Sequence, residues 1–300
     1  MRGWLIGLVL FLAAGAPSVE AQLVPQRIIS LSPNLTEMIY GIGAFDRVVA
    51  VSEFCDFPPE VENLPRVGGW QNTNLEKLAS LRPDLVILTE AQAPFVKRHL
   101  DGLGIPALVV RAQSIGDIKS AIAQIGRALG QAGEASRLVR ELEAELDEVR
   151  RLTAGLDRPR VLCVVDRLPG TLRDLYVATT GSFFSELVEI AGGEPLTPTA
   201  NHQYTKLSME AVVSMDPEVI LDIVQSVSAP TTIIGTGAEL AEDPRAVWRA
   251  LGNVRAVRDD RVYPMHDLTL VHPSQFIGRA ARRIAEVIHP EAFPDREPGN

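Results

Sequence analysis

The feature that most constrains this chain is an internal repeat. Asn74-Leu75-Glu76-Lys77-Leu78-Ala79-Ser80-Leu81-Arg82-Pro83-Asp84-Leu85-Val86-Ile87-Leu88 aligns without a gap on Ser208-Met209-Glu210-Ala211-Val212-Val213-Ser214-Met215-Asp216-Pro217-Glu218-Val219-Ile220-Leu221-Asp222. Each copy reads as a polar cap, a glutamate in the first turn of a short helix, a turn built on proline and an acid, and a buried strand. A second echo pairs Thr36-Glu37 through Gly43 with Ser185-Glu186 through Gly192. Repeated strand–helix units of this kind imply two similar lobes.

Between the copies runs a proline-free stretch, Glu134 to Leu156. Leu138, Val139, Leu142, Leu146, Val149 and Leu152 recur at spacings that make one helical stripe, and Arg140, Glu141, Glu143, Glu145, Asp147, Glu148 and Arg150 fill the other faces. An ordinary surface helix carries the same pattern. The central position instead points to a rigid connector between lobes.

Short aliphatic strands flank it: Arg27–Leu31, Val48–Ser52, Leu85–Leu88 and Ala107–Val110 before, Arg160–Val165, Val219–Ile223 and Arg261–Pro264 after. A helix opens at Ser32-Pro33 and stops at Gly41-Ile42-Gly43; others span Gly181 to Ala191, closed by Gly192-Gly193, and Phe276 to Ile288. The expected fold is α/β: two Rossmann-like lobes with parallel sheets, joined by one long α-helix, with a ligand cleft between lobes at the carboxyl ends of the strands. The expected division is 22–130 for the first lobe, 131–157 for the connecting helix and 158–300 for the second lobe, after a signal peptide over 1–21.

The signal peptide rests on Arg2, the apolar run Trp4 to Ala14 and the small-x-small site Val19-Glu20-Ala21. The run is short for a membrane anchor. No cysteine follows it to carry a lipid. A soluble, periplasmic, monomeric protein is expected, not embedded in a membrane. The net charge of −9 argues against nucleic acid and anionic lipid as partners. There is no Gly-x-Ser-x-Gly elbow, phosphate loop or His-Glu-x-x-His, so no catalytic residue and no enzyme activity is expected.

The chain resembles the periplasmic binding proteins with a helical backbone, which serve ABC importers of vitamin B12, ferric siderophores, haem and some metals. The resemblance lies in Ile28 to Gly43, the Phe54-Cys55-Asp56-Phe57-Pro58-Pro59 loop, Gly69-Trp70-Gln71-Asn72-Thr73-Asn74-Leu75-Glu76, Leu81 to Ile87 and Gly192-Gly193. Within that class, Trp70-Gln71 with Asn74-Leu75-Glu76, and the Asp-aromatic-Pro-Pro loop, look most like receptors for vitamin B12. The resemblance implies that Trp70 and Phe54 pack on a corrin ring, whose flat body and amide fringe suit aromatic faces and neutral donors. It also implies that Glu76 and Glu210 dock on arginines of a dimeric ABC permease coupled to its ATPase. Both glutamates would equally complement their helix N-termini.

Pro33, Phe54, Cys55, Asp56, Trp70, Gln71, Arg167, Thr180, Tyr204 and His266 are the expected ligand-binding residues. The protein is expected to hold no cofactor of its own; the ligand is a metal chelate, a cobalt corrinoid first and haem or a ferric siderophore as alternatives. A non-transport ligand sensor would share the fold. The five histidines, His99, His202, His266, His272 and His289, form no close ligand pair, and no metal is assigned to them. His99 and His289 read as solvated. Val271-His272-Pro273-Ser274 departs from the glycine- and proline-rich basic segment of many relatives. A Cys55–Cys163 disulfide would join the lobes, although Cys163 reads equally well as a core residue.

Overall fold

A computed structural model describes residues 24–168, 170–200, 202–223, 244–265 and 272–294. The expected signal peptide and His266 lie outside the described residues. The first lobe runs β1 (Ile28–Ser30), α1 (Pro33–Gly41), β2 (Val48–Val51), α2 (Leu75–Ser80), β3 (Leu85–Thr89), α3 (Ala93–Gly102), β4 (Ala107–Val110) and α4 (Ile115–Ala128). Its strands form an all-parallel sheet in the order β2-β1-β3-β4. The order reverses direction at β1, the position where open α/β sheets leave a crevice beyond the carboxyl ends of their strands.

Helix α5 (Ala132–Thr153) follows. The second lobe holds β5 (Arg160–Asp166), β6 (Leu175–Ala178), α6 (Phe183–Ile190), β7 (Glu194–Pro195), β8 (Tyr204–Leu207), α7 (Met209–Met215), β9 (Val219–Ile223), α8 (Arg255–Arg258), β10 (Val262–Met265) and α9 (Ile277–Ile288). Its sheet runs β10-β9-β5-β6-β8, with β7 also on β5. The expectation of parallel strands holds for β5, β7, β9 and β10, whereas β6 is reversed and pairs antiparallel with both β5 and β8. The cause is a tight turn. Gly170 and Asp174 take positive φ, and Leu168 N–H donates to Arg173 O at 3.0 Å, so β6 folds straight back beside β5 as a hairpin.

The repeat survives in atomic detail. Arg82 and Asp216, matched in the alignment, both adopt the left-handed conformation, with φ of 47° and 42°. Arg27 Nη2 donates to Leu81 O at 2.7 Å, and Arg160 Nη2 donates to Met215 O at 2.6 Å. Asp84 accepts from Arg27 N–H and Glu218 from Arg160 N–H. Each lobe thus ties its first strand to the same Pro-acid turn, which satisfies carbonyls at a helix end. The pairing registers match too: Ile28 faces Leu85 as Val161 faces Val219.

One position breaks the repeat. Leu88 is buried beside Ile29, Val86 and Val96, but its counterpart is Asp222, which is fully buried. The carboxylate is neutralised by Arg167, whose Nε and Nη2 lie 2.8–3.1 Å from its oxygens, and it accepts Trp248 Nε1–H at 2.8 Å.

Strand alternation splits each core in two. Ile28, Leu85 and Ile87 face the helical layer with Val161, Cys163, Val219 and Leu221. Ile29, Val86 and Leu88 face the other side of the first sheet, and Leu162, Val164 and Ile220 the other side of the second. The helical-layer core is continuous across both lobes because α5 runs through it. Leu138, Leu142, Leu146 and Val149 are buried in it. Small residues let the helices approach. A Cβ on Gly126 of α4 would stand 2.3 Å from Ala135 Cβ, and one on Gly278 of α9 would stand 2.7 Å from Glu145 Cβ. Among the described residues, no helix is long and apolar enough to cross a membrane.

Candidate functional site

The lobes meet through two seams related by the repeat. In the first, α6 of the second lobe receives the loop after β4. Glu186 Oε2 accepts Ile115 N–H at 2.6 Å, Phe183 N–H donates to Gln113 O at 2.8 Å, and Gln203 Nε2 donates to Ala112 O at 3.3 Å. In the second, α1 of the first lobe receives the segment that leads into α9. Glu37 accepts His272 Nδ1 at 2.6 Å and the Ser274 hydroxyl, while Gln275 Nε2 donates to Glu37 O at 2.9 Å and Asn34 Nδ2 to Pro273 O at 3.4 Å. Phe57 and Phe276 add an edge-to-face contact at 5.3 Å. The echo of Thr36-Glu37 in Ser185-Glu186 was the sequence signal for both seams, although neither glutamate is among the expected ligand-binding residues.

The carboxyl ends of β1 and β2 carry most of the expected site of the first lobe. Pro33 begins α1. Past β2 the chain is locked: Arg66 Nη1 donates to Ser52 O at 3.1 Å and to Cys55 O, and the Cys55 thiol lies 3.2 Å from both Thr36 Oγ1 and Ser52 Oγ. Burial pushes this thiol up, against the hydrogen bonds from Ser52 and Thr36. Phe54 and Asp56, on either side of buried Cys55, are exposed. Phe54 is 55 % exposed and Trp70 41 %. The Phe54 ring lies over the backbone that precedes Trp70, since a Cβ on Gly69 would stand 3.0 Å from Phe54 Cε2. Gln71 is exposed as well. Exposed aromatic side chains have large contact areas and little side-chain entropy to lose on binding.

In the second lobe Thr180 is exposed, with its hydroxyl 3.0 Å from that of Thr197. Tyr204 packs on Phe184 at 6.1 Å, and burial pushes its phenol up. Arg167 sits at the carboxyl end of β5 but is 5 % exposed, its guanidinium engaged by Asp222 and by Thr171 O. Cys55 and Cys163 are both free and buried, so the disulfide considered from sequence is not formed; Cys163 belongs to the helical-layer core. His289 corrects a second expectation. It is 3 % exposed rather than solvated, and its Nε2 lies 3.2 Å from Gly192 O, under the turn that closes α6.

Glu76 and Glu210 are both exposed in the first turns of α2 and α7, whose caps are Asn74 and Ser208. Hydrogen bonds from its own backbone N–H and from Ser208 hold the Glu210 carboxyl below the usual range. Glu37, Asp56 and His272 each offer a ligand atom, and these atoms lie within 4.8 Å of one another.

A family model described as periplasmic binding protein matches residues 28–268. The chain is 29 % identical over 221 residues to the vitamin B12-binding protein of Pectobacterium carotovorum, covering 73 % of this chain and 76 % of that one. It is 27 % identical to an uncharacterised ABC transporter substrate-binding lipoprotein of Bacillus subtilis, covering 94 % and 86 %. Among solved structures, the periplasmic vitamin B12 binding protein of Vibrio cholerae superposes with a TM-score of 0.71 at 24 % identity, over 89 % of this chain and 98 % of that one. A periplasmic haem binding protein from Pseudomonas aeruginosa superposes with a TM-score of 0.74 at 23 % identity, over 92 % and 96 %.

Proposed function

Because the chain belongs to the periplasmic binding protein family, we propose that it captures a corrinoid of the vitamin B12 type outside the cytoplasm and hands it, unaltered, to a dimeric ABC permease with its ATPase. The observation that carries this reading is that Phe54 and Trp70 are both exposed beyond the carboxyl edge of the first sheet, with the Phe54 ring against the Gly69 backbone that precedes Trp70. A corrin is broad and flat, with neutral amides at its rim, and aromatic faces are its natural support. The likeness to the Pectobacterium protein supports the same reading.

Haem would ask for an axial tyrosine or histidine. Tyr204 serves this poorly, because it is packed on Phe184. A ferric siderophore would ask for a free basic cluster, and Arg167 is engaged by Asp222.

The mature protein is titrated with cyanocobalamin, followed by calorimetry and tryptophan fluorescence. Trp70 is exposed and Trp248 fully buried, so quenching reports chiefly on Trp70. One-to-one binding, weakened about tenfold (about 1.4 kcal/mol) by Trp70→Ala, is the expected result. No binding of cyanocobalamin, with saturable binding of haem or a ferric siderophore, overturns the corrinoid reading. Delivery is read separately. Glu76→Lys with Glu210→Lys should abolish stimulated transport in permease vesicles while leaving ligand affinity intact, because both carboxylates are exposed at matched positions of the repeat.

A further inference from the structure

We propose that Glu37, Asp56 and His272 form a divalent-cation site that bridges the two lobes. The inference does not rest on the corrinoid reading, since it concerns the protein without any chelate.

The donors come from three separate segments: Glu37 from α1, Asp56 from the loop after β2, and His272 from the segment before α9. One imidazole nitrogen and two carboxylate oxygens are the mixed donor set of three-ligand zinc sites, which leave a fourth position to water. Two carboxylates facing one imidazole also leave surplus negative charge for a cation to neutralise. Glu37 is 3 % exposed, and Ser274 Oγ–H holds one of its oxygens, which leaves Oε1 aimed at His272 Nδ1. A hydrogen-bonded second shell of this kind orients a ligating carboxylate. Asp56 is exposed and supplies the open side for entry.

His272 Nδ1 and Glu37 Oε1 lie 2.6 Å apart, a separation that a shared hydrogen spans. A tetrahedral ion with bonds of about 2.0–2.1 Å would replace that hydrogen and spread the two atoms to roughly 3.3 Å. Asp56 separates this site from a plain ion pair. The pair between Glu37 and His272 is complete without Asp56, whereas the cation needs it.

Zn²⁺ is the probe, because imidazole with carboxylate suits it. Chelator-stripped protein is titrated with ZnCl₂ by calorimetry, and its melting temperature is recorded with and without zinc. The expected result is one zinc per chain and a raised melting temperature, since the ion ties both lobes and binds only the folded state. Loss of outer-shell partners alone costs about 10–100-fold in affinity, so Asp56→Asn and His272→Gln should each weaken zinc by at least about tenfold. Melting without zinc checks that each variant folds. Should His272→Gln fail to fold, exposed Asp56 decides the matter. The proposal is overturned if the wild-type protein takes up no zinc, or if Asp56→Asn binds it as tightly as wild type does.

Discussion

Glu37 of α1 and Glu186 of α6 stand at matching positions of the two lobes, and each carboxylate crosses to the segment that opens the last helix of the other. Glu186 receives Ile115 N–H at the start of α4, and Glu37 receives His272 and the Ser274 hydroxyl just before α9. The two seams flank α5, whose stripe lies in one core shared by both lobes. A core helix with a hydrogen-bonded seam on each side resists free hinge motion, in contrast to domains joined only by short flexible loops.

Truncating either glutamate should therefore loosen the lobes. Glu37→Ala strands the Ser274 hydroxyl and His272, and Glu186→Ala strands the Ile115 N–H at a helix start. Each should cost about 1–3 kcal/mol. Urea unfolding measures this, and unchanged midpoints in both variants would show the seams to be idle.

Glu186 also sets a pH response. Burial raises its carboxyl above the ordinary glutamate range, reinforced by Glu189 and Asp117 and opposed by the Ile115 hydrogen bond and by Lys119. The folded protein thus holds this proton to higher pH than the unfolded chain, so the group's contribution to stability falls as pH rises from the ordinary glutamate value of about 4.3 through the raised one. Glu186→Gln should flatten the slope of unfolding free energy against pH in that window. An unaltered slope would count against the assignment.

Asp222 occupies the place that Leu88 holds in the first lobe, yet Asp222→Leu should not be tolerated. It would take away the carboxylate that pairs with Arg167 Nε and Nη2 at a site where the arginine is 5 % exposed. The expected loss is about 3–5 kcal/mol. Adding Arg167→Met should restore much of it, leaving mainly the cost of the unbonded Trp248 N–H, about 1–3 kcal/mol. Strict additivity of the two changes in denaturant would refute the coupling.

Gly126→Ala would ordinarily favour a helix by about 1 kcal/mol. Here the new methyl would stand 2.3 Å from Ala135 Cβ and 3.1 Å from Gln131 O. Forcing α4 off α5 should cost about 1–3 kcal/mol and lower the melting temperature. Gly133→Ala, with nothing within 4 Å, is the matched control on α5 and should be neutral or stabilising.

Much of the fold was legible because it rests on local chemistry. Apolar runs at β4 and β9 coincide with the observed Ala107–Val110 and Val219–Ile223, and the stripe from Leu138 to Val149 gives α5. Those signals depend only on periodicity and turn residues, which each segment carries by itself. No strand was expected at Leu175–Ala178, because four residues carry too little periodicity to mark one, and the antiparallel direction of β6 depends on the turn before it.

The candidate site divides along the same line. By itself the sequence determined that there are two like lobes and that one helix joins them. Tertiary structure alone decided which polar groups meet. Arg167 read as a ligand-binding residue until the fold set Asp222 beside it, His289 as solvated until Gly192 covered it, and Glu37, Asp56 and His272 as unrelated until three segments converged. Periodicity is written within a few turns of chain, whereas the partner of a buried charge is fixed by packing between segments up to 235 residues apart, and no local pattern records it.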